Sequence, residues 1–187
     1  MTPHRNITIL KWFNFFTDFK LYAPVAIIYF SQVTGSFALG MSIFSIAMIS
    51  SALFEIPTGV FSDRIGRRKT VIWGAAAAVM YAVFYAIGHS FLILAIGAVF
   101  EGLSRSFYSG NNDALLHDTL AESENQGFYD EHLGKVSSMF QVALAISAIL
   151  GGLLATWSVP LIMWLSVIPQ ICCFLIAFKL IEPNVLK

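Results

Sequence analysis

The sequence predicts an all-α membrane protein, a bundle of six transmembrane helices. Three observations lead there. The chain is 57% hydrophobic and 12% charged, roughly half the charged fraction usual in soluble domains. Apolar segments recur along all 187 residues, each near the roughly 20 residues a helix needs to cross the hydrocarbon core. The cations are segregated: of 11 Lys and Arg residues, all but Lys20 and Arg105 fall on the side of the bundle shared by the two termini.

Residues 1–10 read as an N-terminal tail. The first span, Lys11 to Val33, is too long for a signal-peptide core, holds Asp18 and Lys20, and lacks a small-residue cleavage site, so it is expected to stay as a helix. The second runs from Phe37 to Phe61 and the third from Lys69 to Gly88. The fourth covers Phe91 to Ala114, the fifth Val136 to Thr156 and the sixth Pro160 to Leu180. The bundle thus occupies 11–180, with loops at 62–68 and 118–135 and a tail or linker start at 181–187. The turns on the opposite side, near Gly35, Gly88 and Trp157, carry no Lys or Arg. The positive-inside rule then places both termini in the cytoplasm.

Rows of small residues (Gly74, Ala78, Ala82 and Ala86; Ser147 with Gly151; Ala148 with Gly152) predict close helix packing, which drives association in lipid. The acidic connector holding Glu122, Glu124, Asp130 and Glu131 reads as a solvated link.

Ionisable residues inside spans are costly and by default mark a pathway or a pair. Helix 1 carries Asn14, Asp18, Tyr22, Val25, Tyr29 and Gln32 at steps of three or four, a mostly polar face suited to a water-filled cavity. The alternative is outward snorkelling; the cavity role is preferred for Asp18 and snorkelling for Lys20. Glu101 and Arg105 share one face of helix 4, followed by Asn112; they form either a structural pair or a site where a substrate or proton competes for one partner. Glu55, beside Pro57, is expected to pair with an arginine of the basic loop rather than to carry a proton.

Several classes are excluded. The net charge is +0, and no nucleic-acid patch, phosphate loop or nucleophile–base arrangement is present, so neither an enzyme nor a nucleic-acid binder is expected. Asp113 and His117 are four apart, but the histidines share no other ligand spacing, so neither metal nor cofactor is expected. Cys172 and Cys173 are adjacent and read as small apolar residues.

Gly59, Asp63, Gly66, Arg67 and Arg68 form the pattern G-x-x-x-D-x-x-G-R-R between spans two and three. This resembles the loop signature of the major facilitator superfamily at every defining position. The resemblance implies one half of a major facilitator fold, a six-helix bundle with an internal 3+3 repeat. It also implies that Asp63 and Arg67 form a charge relay with an acidic residue at the end of helix 4, Asp118 first and Asp113 second, and that this relay latches the two halves. Gly59 and Gly66 are implied to allow close approach and a tight turn. The arginine many proton-coupled members carry in helix 4 falls at Ala98, and the antiporter signature of helix 5 is reduced to Gly151 and Gly152.

The expectation is a secondary active transporter, or its N-terminal half, in a bacterial cell membrane. It moves a small solute by alternating access with ion coupling, and export of a drug-like or metabolite solute is the direction favoured by the resemblance. Asp18, Glu101 and Arg105 are the expected coupling residues, with Tyr22, Tyr29 and Asn112 lining the cavity and Glu55, Asn14 and Asp113 secondary. The partners are the lipid bilayer, a small-molecule substrate and a second six-helix half, in the same longer chain or a separate subunit. The alternative is a non-transporting assembly subunit or sensor that uses the half fold for interaction.

Overall fold

The computed structural model describes residues 3–122 and 126–183. Glu124 of the acidic connector and the tail 184–187 lie outside them. The described residues are helical throughout: α1 (Pro3–Asp18), α2 (Ala26–Thr34), α3 (Phe37–Ile65), α4 (Arg67–Ile87), α5 (Phe91–Tyr108), α6 (Asn111–Ala121), α7 (Tyr129–Ala155), α8 (Val159–Leu165) and α9 (Val167–Ala177), with short 3₁₀ turns at Ala23–Val25 and Gln126–Phe128. Among the described residues, five stretches are long and apolar enough to cross a membrane: α3, α4, α5 with α6, α7, and α8 with α9. Their outer faces carry large apolar side chains such as Leu53, Ile56 and Leu153, a surface suited to lipid and costly in water. The chain is a multi-pass membrane protein.

The first expected span is not one helix. It divides into α1 and α2 around Phe19 to Tyr22. Pro24 explains the break: proline has no N–H and its ring collides with the carbonyl four residues back, that of Lys20. The Lys20 carbonyl instead accepts the Ala23 N–H at 3.1 Å. Buried side chains serve the remaining freed backbone. Ser166 Oγ accepts the Tyr22 N–H at 3.1 Å, and Gln170 Nε2 donates to the Phe16 and Thr17 carbonyls at 3.3 and 3.4 Å. Non-helical backbone at membrane depth persists only where protein groups satisfy it in this way.

The expected N-terminal tail and loops are also mostly helix. Residues from Pro3 onward belong to α1, whose Ile7 and Leu10 are buried, because Asn6 is pinned by hydrogen bonds to Thr119 Oγ1 and to the Ile181 backbone. The basic loop 62–68 shrinks to Gly66, the single residue between α3 and α4. Its φ of +97° suits only glycine. In the segment 118–135, residues up to Ala121 continue α6, and α7 starts at Tyr129.

Two apolar clusters hold the bundle. One surrounds Tyr85, Phe30, Ile43 and Leu94; the other joins Phe13, Val71, Leu115 and Cys173. The small residues close the helix crossings. A methyl group on Gly102 would sit 2.5 Å from the Ala47 carbonyl oxygen of α3, and one on Gly74 would sit 2.6 Å from the Tyr108 ring. Ala78, Ala82, Ala86, Ser147 and Gly151 are buried as the small-residue rows predict, whereas Ala148 and Gly152 face outward.

Candidate functional site

The polar residues gather in two places. The first is a partly open cavity of about 440 Å³, lined from α1 by Asn14, Thr17 and Asp18, with Lys20 from the break. From α5, α6 and α9 come Glu101, Arg105, Tyr108, Asn112 and Gln170, while Phe140 and Leu144 of α7 supply an apolar wall.

Glu101 is the electrostatic centre. It is 5% exposed and accepts Arg105 Nη2 at 2.7 Å and the Tyr85 hydroxyl at 2.8 Å. Lys20 Nζ lies 3.9 Å away, over the Tyr81 ring at 5.6 Å from its centroid. A carboxylate this buried needs such partners, because an isolated charge in a low-dielectric interior costs several kcal/mol or more. The expected Glu101–Arg105 pair is therefore present, joined by Tyr85 and by Lys20. Lys20 turns inward because the break redirects the chain after Asp18, contrary to the snorkelling expectation. The Asp18 carboxylate makes no hydrogen bond or ion pair with a described residue; its nearest cations, Lys20 and Arg105, are both held by Glu101.

Tyr22 and Tyr29 do not line this cavity. Both are buried: Tyr22 packs edge-on against Tyr85 at 5.7 Å, and the Tyr29 ring packs against Phe30. The polar face drawn along a continuous helix 1 ends at the break, since α2 restarts the rotation. Asn14 and Asn112 do face the cavity, with Asn112 Nδ2 3.5 Å from Asn14 Oδ1. Gln170 was not singled out by sequence, where a lone glutamine in an apolar helix gives little signal.

The second place is the α3–α4 junction. Arg67 Nη1 lies 3.2 Å from Asp63 Oδ1, and its Nε lies 3.8 Å from Asp118 Oδ2. Arg67 Nη1 also donates to Ser62 Oγ at 3.0 Å; Ser62 in turn donates to Asn111 Oδ1 at 2.7 Å, and Asn111 Nδ2 donates to the Arg67 carbonyl at 3.0 Å. The Glu182 carboxylate receives the N–H groups of Arg67 and Arg68 at 2.7 and 2.8 Å. Arg68 donates to the Phe178 carbonyl at 3.0 Å. Ser62, Asn111 and Glu182 were not predicted; an acidic residue just past the last apolar run is the one sequence cue for Glu182. Asp113 is exposed and outside this network, so Asp118 is the acidic partner. His117 Nδ1 sits 3.5 Å from Asp118 Oδ1, and among the described residues no three metal-ligating groups converge. Glu55 is exposed and accepts Ser109 Oγ at 3.2 Å instead of an arginine, because α3 continues past Pro57 and carries Glu55 away from the junction. Around Gly59 an added methyl would meet nothing.

The sequence that builds this geometry has a match among known proteins. The model of the Major Facilitator Superfamily aligns with residues 10–186 of the chain. The chain belongs to that superfamily. Two curated relatives are uncharacterized transporters of Buchnera aphidicola. One, from the strain of Acyrthosiphon pisum, is 28% identical over 155 residues, covering 81% of this chain and 38% of the relative. The other, from the strain of Schizaphis graminum, is 29% identical over 149 residues, covering 79% and 36%. The chain thus spans less than half the length of the curated relatives it matches.

Proposed function

We propose that the chain is the N-terminal six-helix half of a secondary active transporter, with α1 and α2 together making one crossing. A second bundle, in the same longer polypeptide or a separate subunit, completes it. A small solute is carried by alternating access, with ion coupling, and export is the direction favoured by the family resemblance. Both termini lie in the cytoplasm of a bacterial cell. The observation that carries this reading is the cavity that sets Asp18, Lys20, Glu101 and Arg105 together among membrane-spanning helices. Four ionisable groups at such a site are costly unless a pathway uses them, and a discontinuous helix beside a substrate site is the arrangement expected of a secondary transporter. Asp18, Glu101 and Arg105 are the coupling residues in this reading. Asp63, Arg67 and Asp118 form the latch, held in place by Gly66 and Arg68, and Gly59 leaves α3 open to close approach by the second bundle.

The test is Asp63→Asn in the intact transporter, reconstituted in vesicles. Transport is expected to fall roughly 5- to 150-fold, the range of a typical conformational coupling. Wild-type rates at equal membrane abundance would overturn the latch.

A further inference from the structure

We infer that the cavity between α1, α5, α6 and α9 takes an organic ammonium solute, with Asp18 as counter-ion and the side-chain oxygens of Asn112 and Gln170 as acceptors for its N–H groups. This names the substrate class of the transport site proposed above and rests on that reading.

Hydrogen-bond supply in the cavity decides the solute class. Asn14 and Gln170 are oriented by helix carbonyls, which can only accept, and Asn112 is oriented by Asn14. Asn14 Nδ2 donates to the Leu10 carbonyl at 3.1 Å, which leaves Asn14 Oδ1 to receive Asn112 Nδ2. Asn112 Oδ1 is thereby left buried with no protein donor. Gln170 is 1% exposed; its Nε2 is committed to the Phe16 and Thr17 carbonyls, and its Oε1 is likewise left without a donor. The Asp18 carboxylate also lines the cavity and has no hydrogen bond or ion pair. The Asp18 carboxylate and the oxygens of Asn112 and Gln170 are therefore unsatisfied acceptors, and the Tyr108 hydroxyl beside them is also without a hydrogen-bond partner.

The cavity's cationic donors are already committed in part. Arg105 Nη2 is bound to Glu101 and its Nη1 is directed at Met48 Sδ, 3.7 Å away, while Lys20 pairs with the same Glu101. An anion would have to compete with Glu101 for them. A solute that brings N–H donors and a positive charge completes what the protein lacks, since a buried acceptor without a donor carries its full desolvation penalty.

The experiment measures binding to the intact transporter in lipid nanodiscs by thermal shift, using n-butylammonium, its isomer tetramethylammonium, and n-butyrate. The two cations share charge and composition and differ in N–H donors. The expected order is n-butylammonium over tetramethylammonium by about tenfold or more, with butyrate weakest. Asp18→Asn should weaken n-butylammonium roughly 10- to 100-fold. Asn112→Leu should shrink the preference between the two isomers severalfold, a ratio that a general folding defect does not change. Preference for butyrate, equal binding of the isomers, or no binding of either cation would overturn the ammonium assignment. The transport reading is judged separately by Asp63→Asn, so one can fail without the other.

Discussion

The Glu182 carboxylate accepts the backbone N–H of Arg67 at 2.7 Å across 115 residues of sequence. With its second oxygen on the Arg68 N–H, it satisfies two of the orphan donors at the start of α4 and places a negative charge at the positive end of that helix. The same contact holds the segment that follows α9 against the residue that bridges Asp63 and Asp118.

Glu182→Ala is expected to destabilise the fold by about 1 kcal/mol, the usual cost of a lost helix cap. Gly66→Ala should cost about 1–3 kcal/mol for its backbone alone, since φ +97° with ψ 158° is a conformation essentially confined to glycine. It should cost more in the presence of Glu182, whose Oε1 would lie 2.7 Å from the new methyl group. The double variant should therefore lose less than the sum of the singles. Thermal unfolding of the four proteins in one detergent measures this, and strict additivity would show that the two residues do not interact.

Glu101→Ala strands Arg105 and Lys20 beside one another. Removal of one partner of a buried pair costs roughly 3–5 kcal/mol; the lower end is expected here, because the Arg105 side chain is 46% exposed. Replacing Arg105 by Met in the same protein should recover part of that loss. The check is the unfolding midpoint of the single and double variants, and a double variant less stable than Glu101→Ala would contradict the proposed compensation.

Gly151 and Gly152 are neighbours with opposite expectations. Alanine is favoured over glycine inside a helix by about 1 kcal/mol, so Gly152→Ala, where nothing lies within 4 Å, should be neutral or stabilising. A methyl on Gly151 would stand 2.0 Å from the Leu21 carbonyl oxygen. That overpacking should outweigh the propensity gain, at roughly 1–3 kcal/mol. Membrane abundance and monodispersity of the two variants separate the cases.

Legibility followed the range of the interaction. Glu101 and Arg105 are four apart on one helix, so their pairing was readable from spacing. Asp63 and Arg67 were readable because the motif itself carries them, and Asp118 because the resemblance implies an acidic partner at the end of helix 4. Tyr22 and Tyr29 were misplaced because a continuous helix was assumed across Pro24, and every face assignment beyond the break rotated with it. Lys20 was misplaced for the same reason. Gln170 and Glu182 act across more than 100 residues, on backbone groups of α1 and α4, and no local pattern announces such contacts.

What the sequence determined alone was the environment and the family. Apolar runs of membrane-crossing length and a motif dense in Gly, Asp and Arg are properties of composition and local order, and they survive any tertiary arrangement. The tertiary structure decided which polar groups meet. Membrane depth supplies no water to satisfy the N–H and carbonyl groups freed at the break, so Ser166 accepts the Tyr22 N–H and Gln170 donates to the Phe16 and Thr17 carbonyls, which leaves Gln170 Oε1 without a donor.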